Sequence, residues 1–198
     1  MGKEEKKVAK QQEILKAFYL TVQSHGFENA SMARIAEILD IRPSLILHYF
    51  SSKESMVVAM VDSIIQQYQG DFLPLIRNIQ DPKERLRKLV FGIFSLEWIS
   101  KVDNGVFYSF YACGFQNQEI KNKFQVMYET FKTILVEELQ MGLDEGVINE
   151  NINPDLFADF LISIQEGNTY YQGLMRGKIR GKVTADHHME QIYFLLGI

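Results

Sequence analysis

IRPSLILHYFSSKE, residues 41–54, puts a proline at the head of an apolar run that turns aromatic, then breaks at two serines before a Lys-Glu pair. Pro43 has a fixed φ and no N–H to donate, which suits the first position of a helix. The spacing predicts a short helix from Pro43 to about Tyr49. Ser51 and Ser52 interrupt it, and Ser52 is placed to cap a helix that opens at Lys53-Glu54 and continues through Met56, Met60 and Ile64 toward Tyr68. At about 3.6 residues per turn, Ile46 and Phe50 share one stripe and are expected in a core. Ser44, Leu45, His48 and Tyr49 point partly or wholly outward.

Upstream, Ile14, Phe18 and Val22 form one stripe of a first helix that closes at Gly26, with Phe27 available to pack back. Ser31 is placed to cap a second helix of about two turns, whose Met32, Ile35, Ala36 and Leu39 give it a single buried face. Two short helices joined by a tight turn and braced by a longer helix on each side make a helix-turn-helix arrangement. In that arrangement the helix beginning at Pro43 is the one that enters a major groove. Its outer face must then be polar or suited to thymine methyls.

The rest of the chain repeats the same period with longer helices. Asp81-Pro82-Lys83-Glu84 supplies a cap, a proline at the first position and an acid at the third, opening a helix through Trp98. Further helices are expected over Gly105 to Phe115, Gln118 to Glu145, Asn153-Pro154-Asp155 to about Met175, and Ala185 to Leu196. The fold class expected is all-α: an N-terminal three-helix helix-turn-helix domain plus a C-terminal helical bundle, about nine helices in total. The domain limits expected are 8–68 and 69–198.

Composition bounds the function. The 198 residues are 46% hydrophobic and 23% charged, enough for a real core. The longest apolar stretches, such as Val106 to Phe115, are broken by Ser109 and Gly114 well before membrane-spanning length. Cys113 is the single cysteine, so no internal disulfide forms, and no N-terminal apolar leader pattern is present; a cytoplasmic location is expected. The net charge is −4, but residues 1–68 hold eight Lys/Arg against eight Asp/Glu, while the remainder holds 13 against 17. The acidity therefore lies in the back, and the front can present a basic face from Lys3, Lys6, Lys7 and Lys10 with Arg42 or Lys53.

Residues 10–68 resemble the N-terminal domain of the tetracycline-repressor (TetR) family of bacterial regulators. The matching pieces are HGFENAS with Gly26 and Phe27, RIAEILDI with Ile35, Ala36 and Ile41, and above all LHYFSSKE with His48, Tyr49, Phe50, Lys53 and Glu54. The resemblance implies phosphate contacts from Ser31, from Tyr49 or His48, and from Lys53, and base contacts from Arg42, Ser44 and Leu45 beside Pro43. Four positions depart from the usual pattern: Asp40 stands where Gly is frequent, Arg42 where a capping Ser or Thr is common, Leu45 where Thr is common, and Leu47 where Tyr is common. Fewer hydroxyls are left to read bases, which shifts the expectation toward Arg42 and apolar contact with thymine methyls.

The second half holds a dense set of aromatic residues, most of them expected in the core, and two polar residues on apolar stripes. Glu97 falls on the line of Leu86, Val90 and Ile93; Asn168 falls on the line of Phe157, Leu161, Ile164, Tyr171 and Met175. Each needs a partner in the protein, a ligand or water. The candidate ligand pocket is Phe94, Glu97, Trp98, Phe107, Tyr111, Met127, Phe131, Asn168 and Tyr171, taking an unidentified small hydrophobic or amphipathic effector. In the family the last two helices pair two subunits, and here Ile164, Tyr170, Leu174, Ile192, Tyr193 and Leu196 are the expected homodimer interface. A two-fold dimer sets two recognition helices about one DNA turn apart, matching a palindromic operator.

An enzyme is a minor alternative. No Gly-rich phosphate loop, Cys pair or Glu-x-x-His repeat is visible. His187 and His188 are adjacent on a helix and point about 100° apart, which makes them poor joint metal ligands. No cofactor and no metal is expected. A helix-turn-helix protein acting on a protein partner is the other alternative. The reading adopted is a ligand-responsive transcriptional regulator, most simply a repressor, that binds operator DNA as a homodimer.

Overall fold

The computed structural model describes residues 2–67, 69–70, 73–94, 103–175 and 181–198, with the side chains of 181–185 left aside. Every regular element among them is helical: α1 Lys3–His25, α2 Met32–Ile38, α3 Pro43–Tyr49, α4 Lys53–Gln67, α5 Leu73–Arg77, α6 Pro82–Phe94, α7 Asn104–Gly114, α8 Gln118–Asp144, α9 Pro154–Leu174 and α10 Gly181–Leu196. The all-α expectation holds. Ten helices stand among the described residues instead of about nine, the addition being α5, which opens on Leu73-Pro74. No described helix is long and apolar enough to cross a membrane.

Helix ends follow local chemistry. The Ser31 hydroxyl accepts from Arg34 N at 3.2 Å, Asp81 from Glu84 N at 2.9 Å, and Asn153 from Leu156 N at 3.1 Å. Each such cap contributes about 1 kcal/mol. Ser52 and Ser55 cap α4 reciprocally, Ser55 N donating to Ser52 Oγ at 3.1 Å and Ser52 N to Ser55 Oγ at 3.2 Å. α1 ends at Gly26 with φ 79°. α2 ends differently: Asp40 takes φ 50°, Ile41 N donates to Ala36 O at 3.0 Å, and Asp40 N donates to Glu37 O at 3.2 Å. That pair of bonds closes a left-handed C-terminal turn, a place glycine fills without steric cost. The turn between α2 and α3 is therefore fixed by backbone bonds.

The chain forms two compact units. The first comprises residues 1–64 and 105–125, the second 65–104 and 126–198, so the division falls inside α4 and inside α8. In the first unit, α2 packs on α1 and on α3, and Ile14, Phe18, Val22, Ile35, Ile46, Met56 and Val57 are buried. Phe110 of α7 completes that core. Its ring stacks on Phe18 at 5.5 Å and meets Phe27 edge-on at 6.0 Å.

In the second unit α6 packs along α10, and Leu86, Leu89, Val90, Phe94, Leu135, Leu139, Leu161, Ile192 and Leu196 form the core. A polar knot borders it. Glu138 is fully buried, accepts from Arg85 Nε at 3.0 Å, and lies 3.8 Å from Arg77 Nε. A buried carboxylate is tolerable only with such partners. Gly142 lets α8 approach α6, since a Cβ there would stand 2.7 Å from a Leu86 methyl.

Candidate functional site

α3 has one buried residue, Ile46, and its cap Phe50 is buried behind it. Ser44, Leu45, Leu47 and His48 are exposed, and Tyr49 is half-buried. At about 100° per residue, His48 and Ser44 lie opposite the buried stripe, with Leu45 on one flank and Leu47 on the other. The outward arc thus reads Leu47, Ser44, His48, Leu45. Leu47 is the member missed by the sequence reading; its distance of one residue from Ile46 already placed it off the core stripe.

Arg42 occupies the N-cap of α3 with extended backbone, and its side chain makes no cap hydrogen bond. It is exposed. Pro43 occupies the first turn, as expected. The His48 and Tyr49 rings meet edge-on at 5.2 Å, which steadies the C-terminal end of the helix. Ser31 keeps a hydroxyl hydrogen free to donate, because its oxygen is the acceptor of the α2 cap.

Lys53 is held in a defined place. Its ammonium donates to Phe27 O at 2.9 Å and stands 4.1 Å from the Phe27 ring centre. An ammonium has three donors, so two N–H groups remain for another acceptor. The N-terminus of α4 adds its own partial positive charge there. Of the α1 lysines, Lys10 is paired with Glu13 at 2.9 Å, while Lys3, Lys6 and Lys7 are exposed.

The expected pocket residues divide between the units. Phe107 and Tyr111 belong to the first, where both meet Phe124 edge-on at 5.7 and 5.4 Å. Phe94, Met127, Phe131, Asn168 and Tyr171 belong to the second. Phe94 and Met127 are buried, Phe131 is half-buried, and Tyr171 is 48% exposed. Glu97 and Trp98 lie outside the described residues. Asn168 is buried and its Oδ1 has no hydrogen-bond partner; the same is true of Gln172 Nε2, one turn further along α9, and of His188 Nδ1 on α10. Gln172 is absent from the sequence reading, although its four-residue spacing from Asn168 was the available signal. Two open grooves of about 670 and 580 Å³ flank Arg77 and Glu137, and none of their lining residues belongs to the expected pocket.

The six residues expected at the dimer interface also divide. Tyr170 and Leu174 are 53% and 68% exposed. Ile192 and Leu196 are enclosed in the core of their own unit, and Ile164 and Tyr193 pack against that core. The Tyr193 hydroxyl donates to Arg87 O at 3.0 Å, and its burial pushes the phenol pKa up, opposed in part by Arg87. A residue filling its own core has no surface left for a second copy. Among the described side chains of α10, the exposed large apolar ones are Phe194 and Leu195, at 81% and 43% exposure.

Cys113 donates to Ser109 O at 3.1 Å, and burial first, then Glu28, raises its pKa, which leaves a poor thiolate nucleophile. Among the described residues no three His, Cys, Asp or Glu side chains gather as a metal site.

Comparison with known proteins matches two segments of the chain to one family. Residues 14–60 match the family described as "Bacterial regulatory proteins, tetR family", and residues 81–198 match "Tetracyclin repressor-like, C-terminal domain". The HTH-type transcriptional regulator BetI of Brucella canis is 23% identical over 140 residues, 71% of this chain and 71% of its own. A protein from Saccharomonospora viridis, solved in complex with choline, superposes with a TM-score of 0.79 at 18% identity, covering 94% of this chain and 96% of that one. The transcriptional regulator FadR of Bacillus subtilis, solved in complex with stearoyl-CoA, superposes with a TM-score of 0.75 at 18% identity, covering 94% and 98%. At these identities the structural likeness concerns the fold.

Proposed function

The chain belongs to the TetR family of bacterial transcriptional regulators, and from that premise we propose that it is a ligand-responsive repressor that binds palindromic operator DNA in the cytoplasm as a homodimer. The observation that carries the reading is α3 itself, a helix with one buried residue and an exposed arc formed by Ser44, Leu45, Leu47 and His48. In this reading residues 8–68 bind DNA and residues 69–198 sense and dimerise. α3 lies in the major groove with Arg42, Ser44 and Leu45 toward the bases, while Ser31, Tyr49 or His48, and Lys53 meet phosphates.

Dimerisation uses the exposed apolar residues of α9 and α10, chiefly Tyr170, Leu174, Phe194 and Leu195. Sensing uses the second unit, where the unsatisfied amides of Asn168 and Gln172 supply polar contacts for a small hydrophobic or amphipathic effector. The choline and stearoyl-CoA found in structures of similar fold support small-molecule sensing of that general kind. The effector shifts the population between two spacings of the paired α3 helices, of which one fits successive major grooves. α8 carries residues of both units, and Phe110 on α7 sits in the core that supports α3, so a displacement of these helices has a covalent route to the reading face.

The test is retention of duplexes from a random-sequence library by the full-length protein over a range of salt. The reading predicts a retained palindromic sequence whose log affinity falls linearly with log salt. A protein-partner function predicts no enrichment. Small molecules are then titrated into the complex, and a sensor releases DNA on binding one of them.

A further inference from the structure

We propose that α3 identifies its operator chiefly through the 5-methyl groups of thymine, with Leu45 and Leu47 as the reading side chains on either flank of Ser44 and His48. This rests on the reading of α3 as the groove-entering helix and goes beyond it by naming what is read. Leu45 is 37% exposed and Leu47 is 52% exposed. A single exposed leucine is unremarkable, because most protein surface is apolar by area. Here, however, two of the four outward positions of one seven-residue helix are leucine, on an element that must enter a groove lined with polar base edges.

The composition of α3 narrows the choice. PSLILHY contains no Arg, Lys, Asn, Gln, Asp or Glu. No side chain within the helix can therefore grip guanine or adenine with the two parallel hydrogen bonds that give strong base discrimination. Arg42, at the cap, is the nearest side chain with that capacity, and its guanidinium is not engaged in capping. Ser44 and His48 can each make single hydrogen bonds in the middle of the arc. The flanks have only methyl groups to offer. Among the four bases, thymine alone presents an apolar group in the major groove.

Leucines at about 100° and 260° around the axis, measured from Ile46, would face opposite walls of the groove. The half-site is thus expected to hold thymines on both strands, on either side of the step met by Ser44 and His48. Arg42 then accounts for a guanine toward the end where α3 begins.

The experiment uses the full-length protein and the duplex it enriches from a random library. Each thymine of that duplex is replaced in turn by deoxyuridine, which keeps every hydrogen-bonding group and removes only the methyl. Affinity is read by fluorescence anisotropy. At the contacted thymines the replacement lowers affinity about fourfold per half-site, the factor equivalent to ~0.8 kcal/mol for one buried methyl, and about sixteenfold when both half-sites are changed. Leu45→Ala and Leu47→Ala each lose sensitivity to one of these replacements and keep sensitivity to the other, the coupling expected of a direct contact. Their circular dichroism matches the parent chain, since both positions are exposed. Binding that ignores deoxyuridine at every position, or alanine variants that stay as sensitive as the parent, overturns the proposal and leaves the DNA-binding reading standing. A library from which nothing is retained removes both.

Discussion

The ammonium of Lys53 donates to the main-chain oxygen of Phe27 at 2.9 Å and lies 4.1 Å from the centre of that residue's ring. Phe27 in turn meets Phe18 and Phe110 edge-on at 6.4 and 6.0 Å. The start of α4, the turn after α1 and the middle of α7 are thereby tied at one aromatic residue. The lysine that opens α4 fixes the turn leading into α2, and its ammonium keeps two further N–H donors.

Lys53→Ala removes both roles, and the two have different readouts. Loss of a half-buried charged hydrogen bond and a cation–π contact lowers stability by about 1–2 kcal/mol, measured by urea unfolding without DNA. Loss of one phosphate contact lowers the slope of log affinity against log salt by about one unit. A variant that destabilises with an unchanged slope assigns Lys53 to positioning alone.

Arg85→Ala leaves the buried Glu138 carboxylate with only Arg77, which is 53% exposed and 3.8 Å away. The loss expected is about 3–5 kcal/mol in denaturant unfolding, because a buried charge is left without its partner. The double variant Arg85→Met with Glu138→Leu recovers most of that, since neither charge then needs compensation. Arg77→Ala removes a half-exposed pair with Glu137, worth under about 1 kcal/mol, together with the 3.8 Å contact to buried Glu138, so its cost is smaller than that of Arg85→Ala but above that of a surface pair alone.

Leu174→Glu and Leu196→Ala separate surface from core. Leu174 is 68% exposed, so the glutamate leaves helix content intact while converting dimer to monomer in sedimentation and weakening binding to a two-half-site duplex. Leu196 is fully buried, and its truncation costs about 2–5 kcal/mol in unfolding. A Leu174→Glu protein that stays dimeric excludes this face from the interface.

Acid pH weakens the second unit through His188. Burial first, and the neighbouring His187 second, lower its pKa below the ordinary 6.5, and its Nδ1 has no partner. The unfolded chain takes up this proton near 6.5 and the folded chain only at lower pH, so the folded state binds fewer protons between the two. That contribution to stability is complete above about pH 6.5 and is lost as pH falls through the folded value. His188→Phe flattens this part of the curve when urea midpoints are compared at pH 7.5 and pH 5.5.

The helix-turn-helix segment is legible in the sequence because its signals are local: Ser31, Pro43 and Ser52 each act on backbone groups within three residues. The same holds for Asp81 and Asn153. α5 is not legible, because a five-residue helix carries too few apolar positions to show a period. Ile192 and Leu196 are a different case, both enclosed in the core of their own unit. Periodicity reveals that a stripe is apolar but not whether it is enclosed or left exposed, and α10 has both kinds of apolar residue, with Leu196 inside and Phe194 outside. Asn168 is visible in the sequence as a polar residue on an apolar stripe, whereas Gln172 joins it only through the buried, unpartnered Nε2 that the fold gives it.

Hydroxyl-radical footprinting of the full-length protein on its enriched duplex tests the central claim most directly. Two α3 helices presented by a two-fold dimer protect two patches whose centres lie about one helical turn, roughly 34–36 Å, apart on the DNA. Replacing Ser44 and Leu45 with Asp, which sets two negative charges on the exposed arc of α3 against DNA, abolishes both patches together while sedimentation still shows a dimer. Protection that survives those replacements, or a uniform footprint without paired patches, would contradict the assignment of α3 as the reading element.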